Sequence, residues 1–115
     1  MKYIKVKWLH SLPDMPVLLY SELDPDRWEV RKVEAYADGT TDFADCDESS
    51  GSTELGIEPC PLLEVIAVDP VFEPEVISRE EFEAVWQHAK GTARARGVRN
   101  DRTNPSTGST ADDDG

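Results

Sequence analysis

Apolar residues recur at every second position through much of residues 1–44, and turn-forming residues divide this stretch into short runs. In residues 3–10, for example, Ile4, Val6 and Trp8 share one face and lysines occupy positions between them. A period of two is typical of a β-strand with one buried face. The same reasoning predicts further strands at residues 17–23, 27–36 and 40–44. We therefore expect an antiparallel sheet of about four strands.

Two features of these strands concern their local geometry. The pair Asp38-Gly39 tolerates the positive φ angles of a type I′ turn and predicts a hairpin between the last two strands. In the third strand, Trp28 and Val30 have the opposite parity to Val33. This change favours either a β-bulge near residues 31–32, which is our preferred interpretation, or a strand covered on both faces.

A helix is predicted at residues 79–90. Ser78 and Glu81 have the spacing of a capping box, in which the serine side chain accepts a hydrogen bond from the first helical turn. Apolar residues then follow at spacings of three and four, and predict a stripe that packs on the sheet: Phe82, Val85, Trp86 and Ala89. A short additional helix is predicted at residues 62–68, after Pro61. The predicted fold class is therefore α+β.

The chain divides into a domain and a tail. Residues 1–90 contain every predicted strand and helix, and we expect them to form a single domain. Residues 91–115 contain four arginines, four aspartates and few apolar residues. Such a segment buries too little surface to offset the entropy lost on ordering. We expect it to be disordered.

The net charge of −12 lies almost wholly in one part of the chain, because residues 42–83 hold thirteen acidic residues against one base, Arg79. A field of this sign repels nucleic acids and anionic membranes and attracts basic protein surfaces. We therefore expect a basic protein partner, and no direct binding to nucleic acid or membrane. The alternative is that the acidity only keeps a small protein soluble.

The acidic residues that we expect to contact a basic partner lie between positions 42 and 54, and they are Asp42, Asp45, Asp47, Glu48 and Glu54. Carboxylates at this density could instead hold a hard cation. The pattern of a calcium loop is not met, because counting from Asp45 the sixth position is Ser50 instead of glycine and the twelfth is Gly56 instead of glutamate. We expect no metal site.

Residues suited to acid–base or nucleophilic chemistry are few. His10 follows Trp8 closely and could act near neutral pH, although a structural histidine is the simpler interpretation. Cys46 lies between two aspartates, whose negative charge disfavours the thiolate that a nucleophile needs. Cys60 lies between two prolines, and we expect it to be a small buried residue. Phosphate-binding, metallohydrolase and nucleophile-elbow motifs are absent from the sequence. We therefore expect a non-enzymatic protein without a cofactor.

The main alternative to protein docking is a pocket for a small ligand or a substrate. Aromatic and arginine side chains dominate the energetics of many binding sites. The strands carry several, and the predicted lining of such a pocket is Trp8, His10, Tyr20, Trp28 and Arg31.

The sequence also suggests a cellular location. The N-terminal residues alternate charged with apolar side chains, which is unlike a signal peptide. Spanning a bilayer takes about 20 consecutive apolar residues, and no stretch approaches that length. The two cysteines are fourteen positions apart and lack the paired spacing of metal ligands. We expect a cytoplasmic protein with reduced thiols.

Four segments resemble an uncharacterised family of small bacterial proteins that is common in actinobacteria: residues 3–10 (YIKVKWLH), 16–24 (PVLLYSELD), 27–34 (RWEVRKVE) and 77–82 (ISREEF). The resemblance covers about residues 1–90 and excludes the tail. It implies a stand-alone bacterial protein of unknown function and supplies no catalytic residue. Our leading hypothesis is an interaction module that docks a basic partner, as toxin-neutralising immunity proteins and nucleic-acid mimics do.

Overall fold

The backbone forms one antiparallel sheet in a computed structural model that describes residues 1–96 and 99–100, with backbone alone for residues 93–96 and 99–100. The strands are β1 (Lys2–Trp8), β2 (Leu18–Leu23), β3 (Glu29–Ala35), β4 (Thr41–Ala44), β5 (Glu48–Ser49), β6 (Phe72–Val76) and β7 (Arg99–Asn100), and the helices are α1 (Leu63–Ile66) and α2 (Arg79–Arg96). Their order across the sheet is β6-β1-β2-β3-β4-β5-β7. The predicted α+β class and antiparallel sheet are confirmed.

The sheet is larger than the predicted four strands. The predicted strands correspond to β1–β4, and the largest addition is β6, which pairs antiparallel with β1 from Ile4↔Val76 to Trp8↔Phe72. Pro74 lies in the middle of β6, where it cannot donate to the ladder. An edge strand tolerates proline, and β6 lies at the edge.

The hairpin between β3 and β4 forms where it was predicted, with a different turn. Tyr36 O accepts a hydrogen bond from Gly39 N at 3.0 Å, and Tyr36 N donates to Thr40 O at 2.9 Å. Gly39 has φ +90°, whereas Asp38 is not among the described residues with positive φ. A type I′ turn needs positive φ at both central residues, so that prediction is wrong. The loop is a tight turn closed by a left-handed glycine.

A β-bulge also lies close to its predicted position. Glu22 pairs with Arg31 but Leu23 pairs with Glu29, so Val30 is the extra residue on β3. The bulge therefore precedes residues 31–32 by one position. It restores the alternation that places Val33 in the core, where it is fully buried.

Helix α2 begins as predicted and ends later. Glu81 N donates a 3.0 Å hydrogen bond to Ser78 Oγ, which caps the first turn. At the other end, Thr92 Oγ1 donates to His88 O at 3.1 Å, and the helix continues to Arg96. Gly91 does not adopt the left-handed conformation that would end it.

Helix α2 extends into the segment that was predicted to be the tail. Residues 91–96 are helical, and residues 99–100 pair with β5. Disorder was expected for all of residues 91–115, and that expectation stays a prediction. Residues 97–98 and 101–115 lie outside the described residues.

The two faces of the sheet are covered differently. On one face, which we call the helix face, Tyr20, Val33 and Phe43 form a core cluster with Phe82 and Trp86 of α2. On the opposite face, which we call the loop face, half-buried residues of the segment 45–71 and of the edge strand β6 pack against the other strands: Cys60, Leu63, Ile66 and Phe72. The predicted packing of the helix stripe on the sheet is therefore confirmed.

Candidate functional site

The first residue of the predicted acidic surface is not on the surface. Asp42 follows the alternation of β4 and points to the loop face, where it is 6% exposed. Its carboxylate accepts a 2.7 Å hydrogen bond from Ser50 Oγ, whose oxygen in turn accepts one from Phe43 N. Asp42 therefore supports the β4–β5 connection, and its buried carboxylate does not belong to the exposed surface.

The next three predicted contact residues are half-buried and take part in local structure. Asp45 Oδ1 accepts hydrogen bonds from the backbone N–H groups of Asp47 and Glu48, both at 2.8 Å. Glu48 lies on β5 with Oε1 3.4 Å from Lys90 Nζ on α2. Only Glu54 among the five predicted residues is classed as exposed. The five do not form one continuous docking surface.

The predicted ligand pocket is also not assembled. Trp8, the last residue of β1, contacts His10 with ring centroids 4.3 Å apart. His10 is held by its own loop, because Nε2 lies 2.7 Å from Pro16 O and Nδ1 accepts a 2.9 Å hydrogen bond from Leu12 N. Both ring nitrogens of His10 therefore contact backbone groups of its own loop.

Tyr20, Trp28 and Arg31 lie elsewhere. Tyr20 is buried in the core of the helix face, and Trp28 is 42% exposed beside the bulge. The Arg31 guanidinium lies on the helix face, 5.0 Å from the ring centres of both Phe82 and Trp86. The opposite faces of the sheet thus separate Tyr20 and Arg31 from Trp8.

Arg31 is the centre of an ion cluster on the helix face. It donates to Glu22 Oε2 at 3.0 Å and to Glu83 Oε2 at 2.6 Å, and Tyr3 OH donates to Glu22 Oε2 at 2.9 Å. The hydrogen bonds from Arg31 lower the pKa of both Glu22 and Glu83. Burial, and then the hydrogen bond to Glu22, raise the pKa of Tyr3. The cluster joins α2 to β2 and β3.

An apolar concave site lies on the loop face. It is a cleft of about 390 Å³ whose floor is Ile4, Val6 and Leu19 of the two adjacent strands β1 and β2. Phe72 of β6 closes one end of the floor. The floor is apolar, because the alternation of β1 directs Ile4 and Val6 to the same side.

The outer wall of the cleft is Cys60, Pro61, Val65 and Ile66, from α1 and the loop before it. Helix α1 has no buried residue and covers the sheet without sealing it. Burial raises the pKa of the Cys60 thiol, which keeps it neutral and unsuited to nucleophilic attack. The wall therefore contributes apolar surface and not chemistry.

Polar groups lie at both ends of the cleft. At the β3 end, Glu29 accepts a 2.7 Å hydrogen bond from Ser21 Oγ and a 2.6 Å hydrogen bond from Gly56 N. Lys32 Nζ lies 3.7 Å from Glu29 and 3.8 Å from Glu34, so two carboxylates flank one ammonium. At the β6 end lies the exposed carboxylate of Asp69. Acidic groups outnumber the single cation that lines the cleft.

One residue attaches the wall to the sheet. Arg27 donates through Nε to Cys60 O at 2.9 Å and through Nη2 to Pro61 O at 2.7 Å, and its own carbonyl accepts from Cys60 N at 2.7 Å. Arg27 has φ +69°, which is the one positive φ of a non-glycine residue in the described chain. An arginine in this conformation carries a steric cost that its contacts must offset.

Apolar side chains also extend outside the cleft. Leu62 is 49% exposed, Val65 56% and Val68 80%, all within or next to α1. A depression of about 320 Å³ adjoins the cleft, shares Glu29, Cys60 and Pro61 with it, and includes Glu58. Apolar and acidic side chains are therefore adjacent around the mouth of the cleft.

Sequence reasoning did not find this cleft, because its floor and wall are some forty or more positions apart in the chain. A signal was present nevertheless. The run from Cys60 to Val68 contains more apolar residues than one face of a four-residue helix can bury. Such an excess indicates an exposed apolar surface.

The described residues bring no three His, Cys, Asp or Glu side chains together in a group that could hold a metal ion. Neither helix in the described chain combines the length and apolar composition needed to cross a bilayer. A family model described as a domain of unknown function, DUF6881, matches residues 2–91. No curated protein and no solved structure matches the sequence.

Proposed function

The chain belongs to the DUF6881 family, a domain of unknown function, and we propose that it is a non-enzymatic interaction module whose acidic surface binds a basic protein. One observation carries the proposal: residues 33–78 contain twelve Asp and Glu residues and no Lys, Arg or His. Part of this segment, from Cys60 to Ile66, forms the exposed wall of the cleft on the loop face.

The structure supports a different set of contact residues from the one that the sequence suggested. Glu54, Glu58 and Glu64 are exposed, and no ion pair within the described chain engages their carboxylates. Glu58 and Glu64 lie beside the cleft, on the loop and helix that form its wall. Unpaired exposed carboxylates keep their full charge for long-range attraction of a basic surface.

The arrangement of the polar groups favours binding over catalysis. Ser21 donates its hydroxyl to Glu29, and the neutral Cys60 thiol lies in an apolar wall. No histidine lines the cleft to activate either group. We place the module in the cytoplasm, where the free cysteines Cys46 and Cys60 would stay reduced.

The test is capture of partners at low salt with two variants of equal charge. The first replaces Glu54, Glu58 and Glu64 with glutamine. The control replaces Asp14, Asp26 and Glu80, which are exposed at other sites, with the corresponding amides. A partner is accepted if it is basic, is lost with the first variant, is kept with the control, and binds again when both proteins are purified.

We expect the first variant to weaken binding of the purified partner about fivefold to tenfold, since each exposed ion pair contributes a few tenths of a kcal/mol. Raising the salt concentration should weaken binding of the wild type more than that of the first variant. If the two variants bind equally, or if every captured protein is acidic, the acidic surface is not the binding site.

A further inference from the structure

The cleft on the loop face has the volume of a binding pocket and an apolar lining. Binding pockets begin at about 300 Å³ and are lined mainly by apolar side chains. The cleft measures about 390 Å³ and has an apolar floor. Water gains little in such a space because it finds few hydrogen-bond partners. An apolar group from another molecule would fill it better.

The charges around the cleft indicate what accompanies that apolar group. Glu29 lies at one end, Asp69 at the other and Glu58 in the adjoining depression. Lys32 is the one cation that lines the cleft, and Glu29 and Glu34 already flank it. The net charge of this surface is negative, so it favours cations next to the buried group.

The surface outside the cleft indicates the size of the occupant. A small molecule enclosed in the cleft would leave Leu62 and Val68 in water, where they are 49% and 80% exposed. A protein segment lying across the mouth would cover them together with Val65. Contiguous exposed apolar surface with a polar rim is typical of protein–protein sites.

We propose that the cleft is the anchor site for the basic partner, and that it takes bulky apolar side chains flanked by basic residues in the partner's chain. This inference rests on the proposed function and adds the chemistry that the partner must carry. The apolar side chains enter between β1, β2 and α1, and the flanking cations face Asp69, Glu58 and Glu64. Apolar anchors in central pockets supply most of the energy of many interfaces.

The experiment uses three labelled hexapeptides as probes, with fluorescence anisotropy as the readout. They are Lys-Lys-Leu-Leu-Lys-Lys, Lys-Lys-Ser-Ser-Lys-Lys and Glu-Glu-Leu-Leu-Glu-Glu. The first two carry the same charges and differ in the apolar pair. The ratio of their dissociation constants therefore reports on the cleft and is insensitive to general electrostatic attraction.

For the wild-type chain we expect the leucine peptide to bind about tenfold more tightly than the serine peptide, because the leucines bury apolar surface. Val65→Asn, which makes the wall of the cleft polar, should reduce this ratio to about threefold or less. Val76→Asn is the matched control, since Val76 is 67% exposed on β6 and does not line the cleft. It should leave the ratio unchanged.

A second variant fills the space instead of changing its polarity. Cys60→Phe places a ring in the wall and should also reduce the ratio, with urea unfolding as the check that the domain still folds. If it does not fold, Val65→Asn alone decides, because a side chain 56% exposed is tolerant of a polar residue.

Each outcome decides something different. Equal binding of the two basic peptides to the wild type would overturn the anchor site and leave the proposed function standing. A leucine peptide that binds equally well with acidic and basic flanks would show an apolar site without charge preference, which contradicts this inference. If neither basic peptide binds, the inference and the proposed function both fail.

Discussion

Replacing Arg27 tests how the wall of the cleft is held. Its guanidinium donates to the carbonyls of Cys60 and Pro61, and its backbone has φ +69°. The side chain therefore stabilises the wall, while the backbone conformation costs energy. Two substitutions separate the effects: Arg27→Ala removes the side chain and keeps the steric cost, and Arg27→Gly removes both.

The magnitudes follow from these contacts. Hydrogen bonds from a charged donor contribute up to about 1.5–3 kcal/mol each, but Arg27 is only half-buried and both carbonyls gain water when it is removed. We therefore expect Arg27→Ala to lower the free energy of unfolding by about 1–3 kcal/mol in total. A left-handed residue with a Cβ costs about 1–2 kcal/mol more than glycine. Arg27→Gly should accordingly be more stable than Arg27→Ala by about 1 kcal/mol.

Two measurements check this reasoning in a Cys46→Ser background, where Cys60 is the remaining thiol. Urea unfolding gives the order of stability, wild type above Arg27→Gly above Arg27→Ala. The rate at which maleimide alkylates Cys60 reports how well the wall is held, and it should rise in both variants. Equal stability of the two variants would show that the φ angle carries no cost. An unchanged alkylation rate would show that Arg27 does not hold the wall.

Three further predictions concern the core, the ion cluster and a loop. Phe82→Ala empties a fully buried position and should cost about 3–5 kcal/mol in urea unfolding, against about 1 kcal/mol for the half-buried Val85→Ala; similar values would contradict the packing of α2. Arg31 lowers the pKa of Glu83, so the ionised carboxylate stabilises the folded state above its unfolded pKa and this stability is lost as pH falls through the lower folded pKa. The free energy of unfolding of Glu83→Gln, measured with urea, should therefore fall less than that of the wild type between about pH 6 and about pH 3. If the two free energies fall in parallel with pH, the Arg31–Glu83 pair does not contribute to stability. Gly51→Ala should destabilise more than Gly39→Ala, because both have positive φ but only at Gly51 would a new Cβ collide with the Asp42 carboxylate; thermal unfolding compares them.

Local patterns in the sequence predicted those strands, helices and caps whose formation depends on residues close together in the chain. The period of two in β1 and the stripe of α2 each arise because one face of that element is buried, so both were found. The Ser78 cap is likewise a contact across three residues. Strand β6 was not predicted, and it contains Pro74; a strand tolerates proline when it lies at an edge, which is a property of the whole sheet.

The candidate site could not be predicted in the same way. The burial of Asp42 depends on Ser50, which a turn of the chain brings beneath it. The cleft depends on the distance between α1 and the strands beneath it, and that distance is set by the contacts of Arg27 with Cys60 and Pro61. The negative charge of the segment was evident from composition, whereas the carboxylates left available to a partner depend on which pairs form.

The proline of β6 also affects how this protein associates with other copies of itself. The ladder with β1 is hydrogen-bonded at Tyr3–Ile77 and Leu9–Val71, so the alternate residues Phe72, Pro74 and Val76 direct their backbone nitrogens away from β1. Phe72 N donates to Asp69 O at 3.0 Å, and Pro74 has no N–H. Of these three positions, Val76 alone keeps a donor for an incoming strand. A crowded solution of this acidic domain should therefore resist growth into extended intermolecular sheets along this edge.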